Sequence, residues 1–220
     1  GREKLSASIG QIRYFDDARV GLAPGAAPLE RGQSAWIADT SYAVNDRWNV
    51  STTYQWNPVD RSEDLASLRT RYLIGDDGIA NLSYRYRRDP GSRNDILRQV
   101  DFSFLYPINP SWSVVGRYYY SLLDHQLLEG IAGVQWDSCC LAVRLVGRRY
   151  LRRSPIGELN NAVQIEIELK GLGSVGAKTE SRLRRAILGY YREDLYLVPP
   201  PEVRSGEPNT SPDSIPGALP

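Results

Sequence analysis

The feature that most constrains the fold of this chain is an alternation of apolar and polar residues with a period of two, which recurs through most of its length. This period places successive side chains on opposite faces of a β-strand. Val100 and Phe102, for example, share one face of a segment whose other face carries Asp101 and Ser103. We identify ten such segments, several close to the ~9–11 residues of a tilted strand that crosses a bilayer. They are residues 5–15, 34–44, 47–56, 66–75, 79–87, 96–106, 111–122, 129–136, 139–150 and 161–170.

The alternation alone fits two architectures, a transmembrane barrel with a wet lumen and a soluble sheet with one solvated face. The connections favour the barrel, because long and short ones follow each other in strict alternation. The long ones are residues 16–33, 57–65, 88–95, 123–128 and 151–160, and the short ones are residues 45–46, 76–78, 107–110 and 137–138. Outer-membrane barrels combine long extracellular loops with short periplasmic turns. The sequence therefore predicts an all-β, antiparallel transmembrane barrel segment with its short turns on the periplasmic side.

Aromatic residues collect near the strand ends, as they do at the two surfaces of a bilayer. Those beside the short turns are Trp48, Tyr106, Trp112 and Trp136, and those beside the long loops are Trp36, Trp56, Tyr120 and Tyr150. The net charge of +1, without a basic stripe, argues against a nucleic-acid partner. No uninterrupted apolar run approaches the ~18 residues that a transmembrane helix needs.

Cys139 and Cys140 are the chain's 2 cysteines, and they begin the predicted ninth strand, directly after the short turn at residues 137–138. Adjacent Cα atoms are about 3.8 Å apart, whereas a disulfide favours roughly 5.5–6 Å. If these thiols are oxidised, we expect their partners in a second polypeptide or in another part of a longer chain. The alternative is that both stay reduced and pack as small apolar side chains.

The chain divides into three predicted parts. Residues 1–172 form the barrel portion, and residues 173–195 form a periplasmic cap that includes a short helix over residues 179–188. Residues 196–220 are rich in Pro and Ser and are predicted to be disordered. We see no signal peptide at the start, as expected of an exported protein after processing or of a fragment cut from one.

The segment Gly-Val-Gln-Trp-Asp-Ser-Cys-Cys at residues 133–140 resembles the vicinal-cysteine signature of the LptD family of LPS-assembly proteins, the outer-membrane lipopolysaccharide translocons. Three further segments agree with the C-terminal barrel half of that family: residues 10–15, 144–149 and 168–173. The resemblance covers roughly residues 1–195, and the cysteine doublet with its flanking turn is its most specific part.

The resemblance implies a much larger barrel, preceded by a periplasmic jellyroll domain that receives lipopolysaccharide from a periplasmic bridge. It implies that Cys139 and Cys140 form disulfides with two cysteines in or near that jellyroll, and that an LptE-like lipoprotein plugs the lumen. The last strand would meet the first barrel strand at a weak lateral seam in the outer membrane, through which lipopolysaccharide leaves. The seam residues are Asn161, Val163, Ile165, Ile167 and Leu169. Neither an enzymatic activity nor a cofactor is expected.

Charged residues on the polar strand faces are predicted to point into the lumen. They are Arg69, Arg71, Arg85, Arg87, Asp101, Arg117, Arg144, Arg148, Glu166 and Glu168. We expect most of them to pair with each other and to hydrate the lumen. Some could contact the plug protein or steer an anionic glycolipid, since arginine suits carboxylate and phosphate recognition.

Two alternatives remain at this point. Ten is an even strand number, so the segment could close alone as a small porin or adhesin barrel. An omptin-like protease would need a His/Asp pair and an Asp pair at the extracellular rim, for which His125, Asp124, Asp16 and Asp17 are the candidates. Their adjacent spacing fits that arrangement poorly. The sequence contains no metal-ligand cluster, because one His and two adjacent Cys give too few ligands.

Overall fold

The computed structural model describes residues 3–17, 31–89, 94–152, 158–191 and 195. Its strands are β1 (Leu5–Gly10), β2 (Arg13–Tyr14), β3 (Gly32–Gln33), β4 (Trp36–Ala43), β5 (Trp48–Asn57), β6 (Ser62–Ile74), β7 (Gly78–Arg88), β8 (Asp95–Pro107), β9 (Trp112–Ser121), β10 (Gln126–Asp137), β11 (Leu141–Leu151), β12 (Leu159–Leu169) and β13 (Gly173–Gly176). The described helix is α1 (Thr179–Ala186). The predicted all-β, antiparallel architecture is confirmed.

Eleven strands form one sheet in the order β1-β4-β5-β6-β7-β8-β9-β10-β11-β12-β13. Each strand pairs antiparallel with its neighbour in this order. Sheet neighbours are therefore also neighbours along the chain, apart from the small β2–β3 hairpin, which is a two-stranded sheet of its own. The sheet ends at β1 and at β13. In the part of the chain that the structure describes, these two edges do not join, so the ten predicted strands do not close on themselves.

The first predicted strand is interrupted, which the alternation did not indicate: it splits into β1 and β2. The second begins later than predicted, at Trp36, and the short strand β3 lies before it, at the end of the predicted loop. β1 and β4 belong to the large sheet, whereas β2 and β3 pair with each other beyond the break. At the break the backbone N–H of Ile12 donates a 2.9 Å hydrogen bond to Oγ of Ser34, and the N–H of Ser34 donates to the carbonyl of Ile12 at 2.8 Å. A serine side chain thus replaces one bond of the ladder and lets the two strands shift.

The strict alternation of long and short connections is wrong at two places. Because β6 begins at Ser62 and β10 begins at Gln126, the connections there are only residues 58–61 and 122–125. Both strands start with residues that break the apolar alternation, and both have a register shift nearby, at Gln55/Trp56 and at Leu127/Glu129. The backbone ladder continues through such irregularities because it does not depend on side-chain polarity.

The sheet also extends beyond residue 172, where we end the barrel portion in the sequence. Gly171, at a φ of 87°, turns the chain back, and β13 pairs with the second half of β12, from Glu166 opposite Gly176 to Leu169 opposite Gly173. The helix then begins at Thr179 as predicted and ends at Ala186, two residues early. The predicted disordered tail, residues 196–220, lies outside the described residues.

The two faces of the sheet differ in what covers them. We call the face that carries α1 the inner face and the opposite one the outer face. Leu183 and Ile187 are 1% and 0% exposed, because they pack on Val115 and Val146 of the inner face. On the outer face the large apolar side chains stay exposed, as the 55% exposure of Ile165 illustrates. The apolar outer surface predicted from the alternation is thus present. Among the described residues no helix has the length and apolarity to cross a membrane.

The predicted aromatic rows are present with one exception. Trp112 of β9 lies directly opposite Trp136 of β10 beside the short connections, and Trp36 lies opposite Trp56 at the other end of the sheet. Tyr150 differs, because it lies on the inner face with its ring 4.1 Å from the guanidinium carbon of Arg148. It belongs to the charged inner face and not to an interfacial row.

Candidate functional site

Two ion-pair networks lie on the inner face, and the first joins four neighbouring strands, β8 to β11. Nε and a terminal nitrogen of Arg117 donate to the two carboxylate oxygens of Asp101 at 2.9 and 2.6 Å. Its other terminal nitrogen donates to Oε2 of Glu129 at 2.7 Å, and Nε of Arg148 donates to Oε1 of the same carboxylate at 2.6 Å. Bidentate, partly buried pairs of this kind are the geometrically specific ones. They hold both guanidinium groups in defined positions above the sheet.

The second network centres on Arg144, which is 4% exposed. One terminal nitrogen lies 2.7 Å from Glu168 and 3.7 Å from Glu166, and the other lies 3.5 Å from Glu180 on α1. The backbone N–H of Glu180 donates a 2.8 Å hydrogen bond to Oε2 of Glu166. Glu166 thereby satisfies an N–H group of the first helical turn, which has no partner within the helix. Charge and backbone hydrogen bonding both fix the start of α1 to β11 and β12.

The segment after α1 returns to the sheet through Gly189, whose φ of 80° favours glycine. A Cβ atom there would lie 2.6 Å from Cδ1 of Ile79. Tyr190 then reaches Gln135 of β10, and Tyr191 donates a 2.7 Å hydrogen bond to Glu180. Burial and the hydrogen bond to Glu180 raise the pKa of Tyr191 above its ordinary value. Residues 179–191 therefore form one unit that packs on the inner face.

Most of the charged residues that we predicted to face the lumen belong to the two ion-pair networks. Arg117, Arg144, Arg148, Glu166 and Glu168 enter the two networks. Arg85 lies over the ring of Tyr119 at 5.8 Å, beside the first network. Arg87 lies further along β7, opposite Leu97 of β8 and outside both networks. Their role toward a plug protein or a glycolipid stays a prediction.

Sequence reasoning missed several residues of the two networks and of the contacts that hold residues 179–191 on the inner face. Glu129 and Gln135 share the parity of Ile131 on β10, so the alternation carried a signal, although the register shift at Leu127/Glu129 obscured it. Glu180 and Tyr190 follow the last long strand and had no such signal. Their places depend on how the helix folds back against the sheet, which local periodicity does not encode.

The cysteine doublet lies within a turn and not at the start of a strand, since β11 begins at Leu141. Both thiols are exposed and free, with 3.0 Å between their sulfur atoms. The hydrogen bonds with Cys140 and Ser138, together with the positive charge of Lys170, lower the pKa of Cys139 below its ordinary value. Lys170 also donates to the carbonyl of Ser138 at 2.6 Å and pairs with Asp137. The turn is held in place while its sulfur atoms stay accessible to a partner.

In β12, the predicted seam strand, the edge that faces away from β11 is partly covered by β13. β13 pairs with residues 166–169, and the backbone N–H of Ala177 donates a 3.1 Å hydrogen bond to the carbonyl of Ile165. Residues 159–164 pair with β11 alone among the described residues. The apolar residues of β12 are exposed, from 46% for Ile167 to 76% for Val163. The open part of the edge thus lies at the end farther from the cysteine turn.

The residues considered for proteolysis have structural roles in their loops. Oδ2 of Asp124 accepts a 2.7 Å hydrogen bond from Ser121, within a tight turn in which His125 adopts a φ of 52°. Oδ1 of Asp17 accepts one from the backbone N–H of Arg31 at 2.6 Å. No group of three or more His, Cys, Asp or Glu that could hold a metal ion occurs in the described part of the chain.

Comparisons with known proteins agree with the resemblance seen in the sequence. The family model LptD, described as LPS transport system D, matches residues 1–112. LPS-assembly protein LptD of Xanthomonas euvesicatoria pv. vesicatoria (strain 85-10) is 59% identical over 98% of this chain. The proteins of the same name from Xanthomonas campestris pv. campestris (strain 8004) and Xylella fastidiosa (strain 9a5c) are 58% and 56% identical. The chain spans 27% of the length of each of these curated relatives.

Proposed function

Because this chain belongs to the LptD family, we propose that it is part of the barrel of an outer-membrane lipopolysaccharide translocon and helps to insert lipopolysaccharide into the outer leaflet. The observation that carries the proposal is an open sheet with an apolar outer face and a charged inner face. Lipid cannot satisfy the backbone groups of an open edge. In a membrane, the edges at β1 and β13 therefore need to pair with further strands. This agrees with the fact that the chain spans 27% of the length of its relatives.

The inner face suits a wet lumen. Its ion pairs lie within hydrogen-bond distance and are only partly exposed, at 15–17% for Arg117, Asp101 and Glu129. Charges in such positions are stabilised by their partners and by water, which a lipid-facing surface does not offer. We propose that this face lines the path of a polar headgroup and receives an LptE-like lipoprotein as a plug. The role is transport, without bond-breaking chemistry.

The seam is proposed at β12, whose open edge of residues 159–164 is available to the first strand of the full barrel. Few hydrogen bonds would join the two strands along so short a stretch. The seam could then part to let lipopolysaccharide leave sideways. The cysteine turn lies at the opposite, periplasmic end, where we propose that Cys139 and Cys140 form disulfides with cysteines in or near a jellyroll domain that accepts lipopolysaccharide from the periplasmic bridge. Both thiols are exposed and the compartment is oxidising.

The seam is tested by a covalent crosslink in the full-length protein. Ile165→Cys on β12 is combined with cysteines along the first barrel strand and joined by a short bismaleimide. The matched control joins Ile165→Cys to Leu145→Cys, which lies directly opposite on β11, so that the same reagent ties two strands away from the seam. We expect only the seam crosslink to block the delivery of lipopolysaccharide, measured by labelling of the outer leaflet. Normal delivery with a complete seam crosslink would contradict the proposal.

A further inference from the structure

Between the helix α1 and the inner face lies a half-open cavity of about 290 Å³. Each water molecule occupies about 30 Å³ in the liquid, so the cavity has room for much more than one water. Its floor is formed by β9 to β12, and its roof is one face of α1. Four arginines line it, two from each side: Arg117 and Arg148 from the sheet, and Arg182 and Arg185 from the helix.

Arg182 and Arg185 of the helix have no carboxylate partner among the described residues. Arg182 and Arg185 are three positions apart and therefore lie on one side of α1. Nε of Arg185 donates a 3.0 Å hydrogen bond to the carbonyl of Ser181, which fixes the group without neutralising it. Neither residue forms an ion pair within residues 3–17, 31–89, 94–152 and 158–191. Among the described residues, their two positive charges are therefore an excess at the cavity.

The arginines of the sheet are held in place but keep unused donors. Glu129 is the one carboxylate among the described residues that lines the cavity, and it is shared between Arg117 and Arg148. Arg148 uses only Nε for this pair, so its terminal nitrogens have no acceptor among the described residues. An arginine carries five N–H donors. The packing of Arg148 on the ring of Tyr150 fixes the orientation of this group.

We propose that this cavity binds a phosphate monoester, and that its source is the headgroup of the transported glycolipid. A phosphate monoester carries about −1.5 to −2 charges near pH 7 and three acceptor oxygens. It thus matches the two uncompensated charges of the helix, and it accepts hydrogen bonds from guanidinium groups in a bidentate geometry. The phosphate chemistry follows from the cavity, whereas its assignment to a glycolipid rests on the proposed function.

The site belongs to the unit of residues 179–191, and not to the strands alone. Leu183 and Ile187 anchor α1 on the inner face and thereby set the height of Arg182 and Arg185 above Arg148. A neutral variant of the two helix arginines would leave these anchors intact. It should therefore fold while losing the excess charge.

The experiment uses the full-length protein with its lipoprotein partner in detergent. Binding of bisphosphorylated lipid A and of chemically dephosphorylated lipid A is compared for the wild type and for Arg182→Gln/Arg185→Gln. The matched control is Lys178→Gln/Arg184→Gln, which removes two positive charges from the same region without touching the cavity. Binding of inorganic phosphate is followed in parallel by the broadening of its ³¹P resonance.

We expect the wild type and the control to prefer the phosphorylated lipid, and Arg182→Gln/Arg185→Gln to lose about tenfold or more of that preference. Inorganic phosphate should also bind less well to that variant. If Arg182→Gln/Arg185→Gln keeps the full preference for phosphorylated over dephosphorylated lipid A, the proposed site is wrong. If the variant keeps this preference but loses its lipoprotein partner, the two arginines contact the lipoprotein and not a phosphate. If the wild type binds neither lipid, the proposed function fails. In that case the binding of inorganic phosphate tests the phosphate site by itself. Weaker binding of phosphate by Arg182→Gln/Arg185→Gln than by the wild type would support the site, and equal binding would contradict it.

Discussion

The hydroxyl of Tyr190 donates a 2.5 Å hydrogen bond to Oε1 of Gln135, across 55 positions of the chain. Both residues are 7% exposed. Nε2 of Gln135 is buried without a partner of its own in the described part of the structure. The tyrosine therefore supplies the hydrogen bond that makes a buried amide tolerable, and it ties residues 179–191 to the inner face.

Tyr190→Phe should loosen this unit. Removing the hydroxyl leaves both polar atoms of the Gln135 amide unpaired, at a cost of about 1–3 kcal/mol. The amides of α1 should then exchange with deuterium faster in the full-length protein, as measured by mass spectrometry. Tyr191→Phe is the matched control, because Tyr191 is 37% exposed and water can replace its bond to Glu180. Equal exchange in the two variants would contradict the role of the Tyr190 contact.

Arg144→Gln should be among the most destabilising single changes in this chain. It leaves Glu166, which is 4% exposed, together with Glu168 and Glu180, without their shared cation. Loss of one partner of a buried ion pair costs about 3–5 kcal/mol. Urea unfolding of the full-length protein in detergent measures this loss. Arg149→Gln, an exposed position on the same strand, should change the free energy of unfolding by no more than about 0.5 kcal/mol.

Gly189→Ala should shift the segment that carries Tyr190. A non-glycine residue at a φ of 80° costs roughly 1–2 kcal/mol, and the new methyl group would also press on Ile79. The methyl group would also lie 2.5 Å from Cδ2 of Leu195. The contribution of Ile79 can be separated with Ile79→Val, which removes the Cδ1 atom that the methyl group would meet. In a double-mutant cycle, the cost of Gly189→Ala should be smaller in the Ile79→Val background. Additive costs would show that the contact with Ile79 contributes nothing and that backbone strain and the contact with Leu195 account for the effect.

In the reduced protein, Cys139 should react with iodoacetamide at lower pH than an ordinary cysteine. Its pKa is lowered by the hydrogen bonds with Cys140 and Ser138 and by the charge of Lys170, so the nucleophilic thiolate forms earlier as the pH rises. Cys140 should react later, because its hydrogen bond to Cys139 raises its pKa. Mass spectrometry across a pH series locates the first alkylated sulfur. Lys170→Gln should move the profile to higher pH, and an unchanged profile would exclude a contribution from that charge.

Replacing Cys139 and Cys140 together by Ser should impair assembly of the full-length protein. Native outer membranes are compared on reducing and non-reducing gels with an antibody to this segment. We expect the wild-type band to shift on reduction and that of the double variant not to shift, with a lower level at the surface. A wild-type band that ignores reduction would favour the interpretation of the doublet as two unpaired thiols.

The sequence predicted the sheet well because its main signal is local. Each long strand shows the period of two, and hairpin connections leave few choices of neighbour. The errors have physical causes. Ser62 begins β6 although polar residues there break the pattern, since ladder bonds do not depend on side-chain polarity. The doublet lies in a turn because Lys170, just after β12, pairs with Asp137 at the end of β10 and donates a hydrogen bond to the carbonyl of Ser138.

The candidate site was predictable only in part. Arg144 and Arg148 follow from strand parity, which places every second residue on the inner face. Glu180, Arg182 and Tyr190 do not, because their positions depend on where α1 comes to rest. That position is set by Leu183 against the sheet, a contact between distant parts of the chain. Long-range packing of this kind has no counterpart in local periodicity.

The short hairpin of β12 and β13 limits how far an additional strand can pair along the free edge of β12. Pairing can start at Leu159 and proceed toward Val163, but the carbonyl of Ile165 already accepts a hydrogen bond from the backbone N–H of Ala177. β13 thereby sets an upper limit on the number of backbone hydrogen bonds between β12 and the additional strand. The force needed to pull the junction apart depends on where Gly171 turns the chain, so moving that turn by two residues would tighten or relax it.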